Sequence, residues 1–97
     1  LLLDTKCMLI HEKIMSIGTA NSTIMPPREI CGEALLKDST CFILVHNHPT
    51  GDPAPSREDI ASTVRIMNAA QLIGITLIDH IIIGDNTYIS MKDRKLI

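Results

Sequence analysis

Tryptophan is absent from this 97-residue chain, and its other aromatic side chains are one phenylalanine and one tyrosine. The core must therefore be aliphatic, and 16 isoleucines are there to build it. Paired cysteines are lacking too. Cys7, Cys31 and Cys41 are an odd number with no C-x-x-C spacing. That argues against a secreted disulfide scaffold and fits a reducing, cytoplasmic setting. No apolar run approaches the ~18 residues of a membrane span. Asp4, Lys6, His11 and Glu12 interrupt the N-terminal apolar residues too early for a signal peptide. A surplus of positive charge is also missing. Nine Lys and Arg stand against 11 Asp and Glu, for a net charge of −2. Recognition of nucleic acid through a basic face is disfavoured on that balance.

What is present is globular in character. Apolar residues make up 45% of the chain and charged residues 21%, with a mean hydropathy of +0.22. Wholesale disorder is excluded. The length allows one domain at most. A domain of this size buries roughly 65% of its unfolded surface, which leaves a thin stability margin. The first residue is Leu1 rather than Met. Residues 1–97 read as a single domain, the C-terminal one of a longer chain.

Punctuation and periodicity divide the chain into seven elements. Leu1 to Leu3 is an apolar stub, Asp4-Thr5-Lys6 a turn, and Met8 to Ile17 a strand that pairs with the stub as a hairpin. Gly18 to Met25 is a polar loop. Pro26-Pro27 then opens a helix over Arg28 to about Lys37, with Glu29 at the positive end of its dipole. Cys41 to Val45 is an unbroken apolar run, as expected for a strand inside a sheet. Pro49 stops it, and Thr50 to Pro55 is a loop. Ser56 is an N-cap for a second helix reaching about Leu72, and Gly74 is its stop. With Ile60 set at zero, Thr63, Val64, Ile66, Met67, Ala70 and Ile73 fall on one broad arc suited to a sheet. Ile75 to Ile83 and Thr87 to Met91 form a closing hairpin about Gly84-Asp85-Asn86. The order is β-β-α-β-α-β-β.

The chemistry concentrates in His46-x-His48 and Asp59. Residues i and i+2 of a strand point to one face, so both imidazoles can meet at the strand's end. Asp59 stands in the first turn of the next helix, on the side of its apolar arc. Taken singly, the two histidines read equally as hydrogen-bonded residues, and Asp59 as part of a helix cap. Together, spacing and facing point to a metal. Two histidines and a carboxylate are a common zinc set, and three protein ligands leave a fourth position for water. Side chains held more than about 6 Å apart would exclude that arrangement.

The segment His46-Asn47-His48-Pro49-Thr50-Gly51-Asp52-Pro53-Ala54-Pro55-Ser56-Arg57-Glu58-Asp59 resembles the JAMM (MPN+) metalloprotease motif. More closely it resembles the RadC-like branch, historically named for DNA repair, which reads HNHPSGDPxPSxxD. Thr50 replaces the usual Ser. Gly18-Thr19, Pro27-Arg28-Glu29, Leu77 to Gly84 (LIDHIIIG) and Tyr88-Ile89-Ser90 extend the likeness over nearly the whole chain. The resemblance implies an α/β fold of cytidine-deaminase-like (JAB/MPN) type, a mixed sheet packed by helices. It implies zinc on His46, His48 and Asp59, with Ser56 stabilising the oxyanion. A glutamate would be the general base for hydrolysis of a peptide or isopeptide bond. That glutamate usually lies upstream of the segment beginning at Leu1. Glu12 is the best resident candidate, and Glu29 and Glu33 fall on the first helix.

Asp79-His80 has two readings, a carboxylate orienting an imidazole next to the metal and a polar pair satisfied by backbone or by the first helix; strand neighbours face opposite ways, so both cannot face the metal, and the second is favoured. The cysteines read as small buried residues. Cys41 lies five positions before His46, roughly 16 Å along a strand and out of reach of the site. Three functions follow as expectations: a zinc-dependent amide hydrolase acting on a peptide or protein, a DNA-processing or DNA-binding protein, and a non-catalytic metal-binding scaffold. Oligomeric state is not readable from the sequence.

Overall fold

A computed structural model describes residues 1–12, 27–48 and 51–97. Its elements are β1 (Leu2–Leu3), β2 (Leu9–His11), α1 (Pro27–Leu36), β3 (Cys41–Asn47), α2 (Arg57–Leu72), β4 (Thr76–Ile83) and β5 (Tyr88–Ser90). The strands form one mixed sheet in the order β2-β1-β3-β4-β5. β3 and β4 pair in parallel and the remaining neighbours are antiparallel. A parallel pair needs a long crossover, and α2 is that crossover. This is the mixed α/β architecture expected from the sequence.

The core is aliphatic apart from Phe42. Leu2, Phe42, Leu44 and Leu77 from the sheet meet Ile30 and Ala34 of α1 and Ile66 and Ala70 of α2 in one buried cluster. The buried stripe of α2 is Asp59, Thr63, Ile66 and Ala70. It is rotated from the arc drawn about Ile60, and Ile73 is 45% exposed. The rotation follows from the cap, which turns Asp59 inward. α2 stops at a Schellman closure. The Ile75 N–H donates to the Ala70 carbonyl and the Gly74 N–H to that of Gln71. Gly74 takes the φ of +80° this requires. α1 closes in the same way, but Asp38 occupies the left-handed position at φ 54°.

Several boundaries differ from expectation. β2 is short, and residues 13–17 of the long second strand drawn from sequence lie outside the described residues, as do Gly18-Thr19. α1 begins one residue earlier, at Pro27, which suits a first helical position that needs no N–H. β3 runs two residues further than Val45. His46 and Asn47 still pair with Ile82 and Ile83, and the His48 N–H donates to the Ile83 carbonyl. The ladder therefore holds the backbone of both histidines.

β4 carries one irregularity. Phe42 pairs with Leu77 and Ile43 with Asp79, so Ile78 is an extra residue. A bulge of this kind reverses the alternation of side chains beyond it. Leu77 and His80, three apart, both become buried, and His80 stands beside Leu44 on the helix-covered face. Asp79 points away from that face. Its carboxylate accepts from Ser90 Oγ, from its neighbour's N–H and from the Lys92 N–H, which ties down the C-terminal turn.

A candidate metal centre

Two elements deliver the site. β3 ends in His46 and His48, whose rings meet edge to face with centroids 4.7 Å apart. α2 opens with a capping box: Ser56 Oγ accepts the Asp59 N–H at 3.0 Å, and Asp59 Oδ2 accepts the Ser56 N–H at 2.8 Å. That exchange fixes the carboxylate toward the histidines. One ligand atom each from His46, His48 and Asp59 lies within 4.8 Å of the other two. His48 Nε2 and Asp59 Oδ2 are 3.3 Å apart. Ligands about 2.05 Å from a tetrahedral zinc stand roughly 3.3 Å from one another. One edge of that figure is already formed, and the others need closures of no more than about 1.5 Å.

The hydrogen bonds orient the ligands. His48 Nδ1 is 2.9 Å from the Asp52 carbonyl. A carbonyl only accepts, so Nδ1 carries the proton and Nε2 faces Asp59. Holding one ring nitrogen on a backbone carbonyl is how proteins orient an imidazole ligand. Nε2 thus faces a carboxylate oxygen at 3.3 Å, an approach that either a proton on Nε2 or a cation held between the two would make favourable. Asp59 is 3% exposed, and its Oδ1 is buried without a hydrogen-bond partner. A buried carboxylate left that bare is costly unless a cation meets it. The residues present therefore fit a divalent cation. Burial, followed by the neighbouring His48, lowers the pKa of His46, which keeps that ring in the ligating, neutral form.

The loop between His48 and Ser56 is pinned from below. Gly51 accepts from the Asp85 N–H at 2.7 Å, and its own N–H donates to the His48 carbonyl. Gly84 stands so close that a Cβ there would lie 2.3 Å from the Gly51 carbonyl oxygen and 2.9 Å from the Pro53 nitrogen. The β4–β5 turn thus braces the loop that presents the Asp52 carbonyl.

The other residues named from sequence are placed as follows. Ser56 is the exposed N-cap, one hydrogen bond from Asp59. Its oxygen accepts in the cap, which leaves its proton to donate outward. Glu12 lies just beyond β2, exposed, with its charge acting on the Leu1 ammonium. It is not brought into the three-residue cluster. Glu29 is exposed in the first turn of α1, and Glu33 is 3.1 Å from His11 on β2. Cys41 is buried at the opposite end of β3, where burial raises its thiol pKa.

One further histidine neighbours the site. His80 Nδ1 is engaged by α2 rather than by α1. Its Nδ1 is 2.6 Å from Thr63 Oγ1, which in turn is 2.7 Å from the Asp59 carbonyl. The His46 and His80 ring centroids are 6.1 Å apart. Burial, then the nearby His46, lowers the His80 pKa to about 4. Plain alternation from Leu77 would turn His80 away from Leu44, and only the bulge at Ile78 brings it round.

The whole arrangement has relatives. The sequence matches the family profile described as the RadC-like JAB domain over residues 1–96. The chain belongs to the RadC-like JAB family. Among curated proteins, this RadC-like domain is 50% identical over 97 residues to a UPF0758 protein of Methanosarcina acetivorans, covering all of this chain and 42% of that protein. It is 53% identical over 92 residues to a UPF0758 protein of Bacillus licheniformis, covering 95% of this chain and 41% of that one. A UPF0758 protein of Clostridium botulinum is 50% identical over 97 residues, at 100% and 42% coverage. The RadC-like domain thus spans about two-fifths of the length of these relatives. Among the described residues, no helix is long and apolar enough to cross a membrane.

Proposed function

We propose that this RadC-like JAB domain is a zinc-dependent hydrolase of peptide or isopeptide bonds in protein substrates, acting in the cytoplasm. One observation carries the reading: two imidazoles and a buried, half-unsatisfied carboxylate converge on one point. Bound there, zinc would supply Lewis acidity and a coordinated water of lowered pKa.

The chain's own residues have definite tasks in this reading. His46, His48 and Asp59 hold the cation. The Asp52 carbonyl and the Ser56 N–H orient two of those ligands. The Ser56 hydroxyl, its oxygen engaged by the cap, donates its proton to the negative charge that develops on a substrate carbonyl oxygen. Glu12 is the resident candidate for the general base in this reading, a role separate from that of the three clustered ligands.

The three clustered ligands also suit a second reading, a metal-holding module without hydrolysis. The two are separated by assaying the metal-loaded chain against peptide, isopeptide-linked and DNA substrates, with and without chelator. Amide cleavage that chelator abolishes and zinc restores supports the hydrolase. Stoichiometric zinc with no cleavage of any amide leaves the metal-holding module. Chelator-insensitive DNA binding with no amide cleavage would leave only the non-catalytic module.

A further inference from the structure

His80 is almost wholly buried, and its Nε2 has no hydrogen-bond partner. Its protonation pattern follows from Thr63. That hydroxyl has one proton and two neighbours, the Asp59 carbonyl at 2.7 Å and His80 Nδ1 at 2.6 Å. The carbonyl cannot donate, so the Thr63 proton goes to it, and His80 Nδ1–H must donate to Thr63 Oγ1. In the neutral ring Nε2 is then a bare acceptor. A buried acceptor left unpaired costs about 1–3 kcal/mol, so its retention calls for an explanation.

The neighbouring group is His46, whose ring centroid is 6.1 Å away and whose plane is inclined by 33°. At that separation the ring nitrogens lie beyond a direct hydrogen bond, and one bridging water can span them. His48 already has its second nitrogen fixed by the Asp52 carbonyl, whereas His46 has no such hydrogen bond among the described residues. We propose that His80 is the positioning residue for His46: through one bridging water, its Nε2 takes up a hydrogen bond from the His46 ring N–H that faces it. The opposite His46 nitrogen is thereby left as a lone pair toward Asp59 and His48. The chain Asp59 carbonyl, Thr63 hydroxyl, His80 ring, His46 ring then links two metal ligands on different elements, α2 and β3, through β4. The bulge at Ile78 is the local device that turns His80 into this position.

This inference rests on the metal-centre reading and is tested alongside it. Zinc affinity is measured by competition with a chromophoric chelator for the wild type, His46→Ala, His80→Leu and His80→Gln. Glutamine can donate its amide N–H to Thr63 and present its carbonyl to His46, so it keeps both bonds. The expected result is a 10- to 100-fold loss of affinity for His80→Leu, with His80→Gln within a few-fold of wild type. Nitrogen-15 NMR of the metal-free wild type should show His46 as one tautomer, and His80→Gln should preserve it. Wild-type zinc affinity in a folded His80→Leu chain, or a mixed His46 tautomer in the wild type, overturns the positioning role. Equal zinc binding by the wild type and His46→Ala instead overturns the metal centre, and the inference with it. If His80→Leu does not fold, the His46 tautomer and the His80→Gln affinity decide.

Discussion

At the scale of single residues, the site sets groups against one another that only specific protons or a cation reconcile. His80 illustrates the cost. Its folded pKa is near 4 because burial opposes its charge, against about 6.5 in an unfolded chain. Between those values the unfolded state binds more protons, so stability falls as pH is lowered from 6.5 toward 4 and is unaffected above that window. The shift corresponds to roughly 3 kcal/mol. His46 acts in the same direction. Urea unfolding of the metal-free chain at pH 7.5, 5.5 and 4.5 should show this slope, and His80→Gln should flatten most of it. An unchanged slope in that variant would assign the acid sensitivity elsewhere. Ser56 offers a cleaner separation of roles. Replacing an N-cap serine by alanine costs about 1 kcal/mol, but by glycine only a few tenths. Ser56→Gly should therefore unfold close to the wild type and keep its zinc, yet lose about 100- to 1000-fold in kcat if the hydroxyl stabilises the oxyanion. An active Ser56→Gly chain would reduce Ser56 to a cap.

At the scale of elements, the turns decide whether the loop bearing the Asp52 carbonyl stays in place. A methyl group at Gly84 meets backbone rather than flexible side-chain atoms, at 2.3 Å from the Gly51 oxygen. Gly84→Ala should destabilise by about 1–3 kcal/mol through overpacking. It should also weaken zinc binding, because the loop that fixes His48 must move; calorimetric titration against the wild type checks both. Asp38 makes the converse case. It holds φ 54° at the close of α1, where glycine is at ease. Asp38→Gly should raise stability by about 0.5 kcal/mol without altering the site, measured by chemical unfolding. The elements were largely readable because their signals are local: Pro27 at the first helical position, the Ser56 cap, Gly74, and the five apolar residues from Cys41. Convergence of His46, His48 and Asp59 was readable for the same reason, since an i, i+2 pair and a capping box fix directions within a few residues. His80 was not. The sequence shows an unbroken apolar strand around it, and the extra residue at Ile78 exists only in the pairing with β3. The bracing of the site loop by Gly84 is likewise a contact between segments some thirty residues apart, with no local mark beyond the glycine itself.

At the scale of the whole molecule, metal binding and folding are the same problem. The chain has 97 residues, and a domain this small has a modest core to spend on holding buried polar groups. It nevertheless buries Asp59, Thr63 and His80 together. Without a cation, the unpaired Asp59 Oδ1 and His80 Nε2 remain a cost that Ser56 and Thr63 offset only in part. A cation at the cluster removes that cost and ties the end of β3 to the start of α2, the two ends of the loop that carries the site. At free zinc a hundredfold above its dissociation constant, the folded state gains about 2.7 kcal/mol. For a domain of this size each kcal/mol raises Tm by roughly 4–8 °C, so zinc should raise Tm by on the order of 10–20 °C. His46→Ala and Asp59→Asn should each abolish most of that rise, while Cys41→Ser, far from the cluster, should keep it despite a lower starting Tm. The cysteine variant matters because zinc also binds thiols of unfolded chains, which would depress Tm rather than raise it. An equal zinc-dependent rise in the wild type and in His46→Ala would locate the stabilising cation away from His46, and the end of β3 would then have to be explained without one.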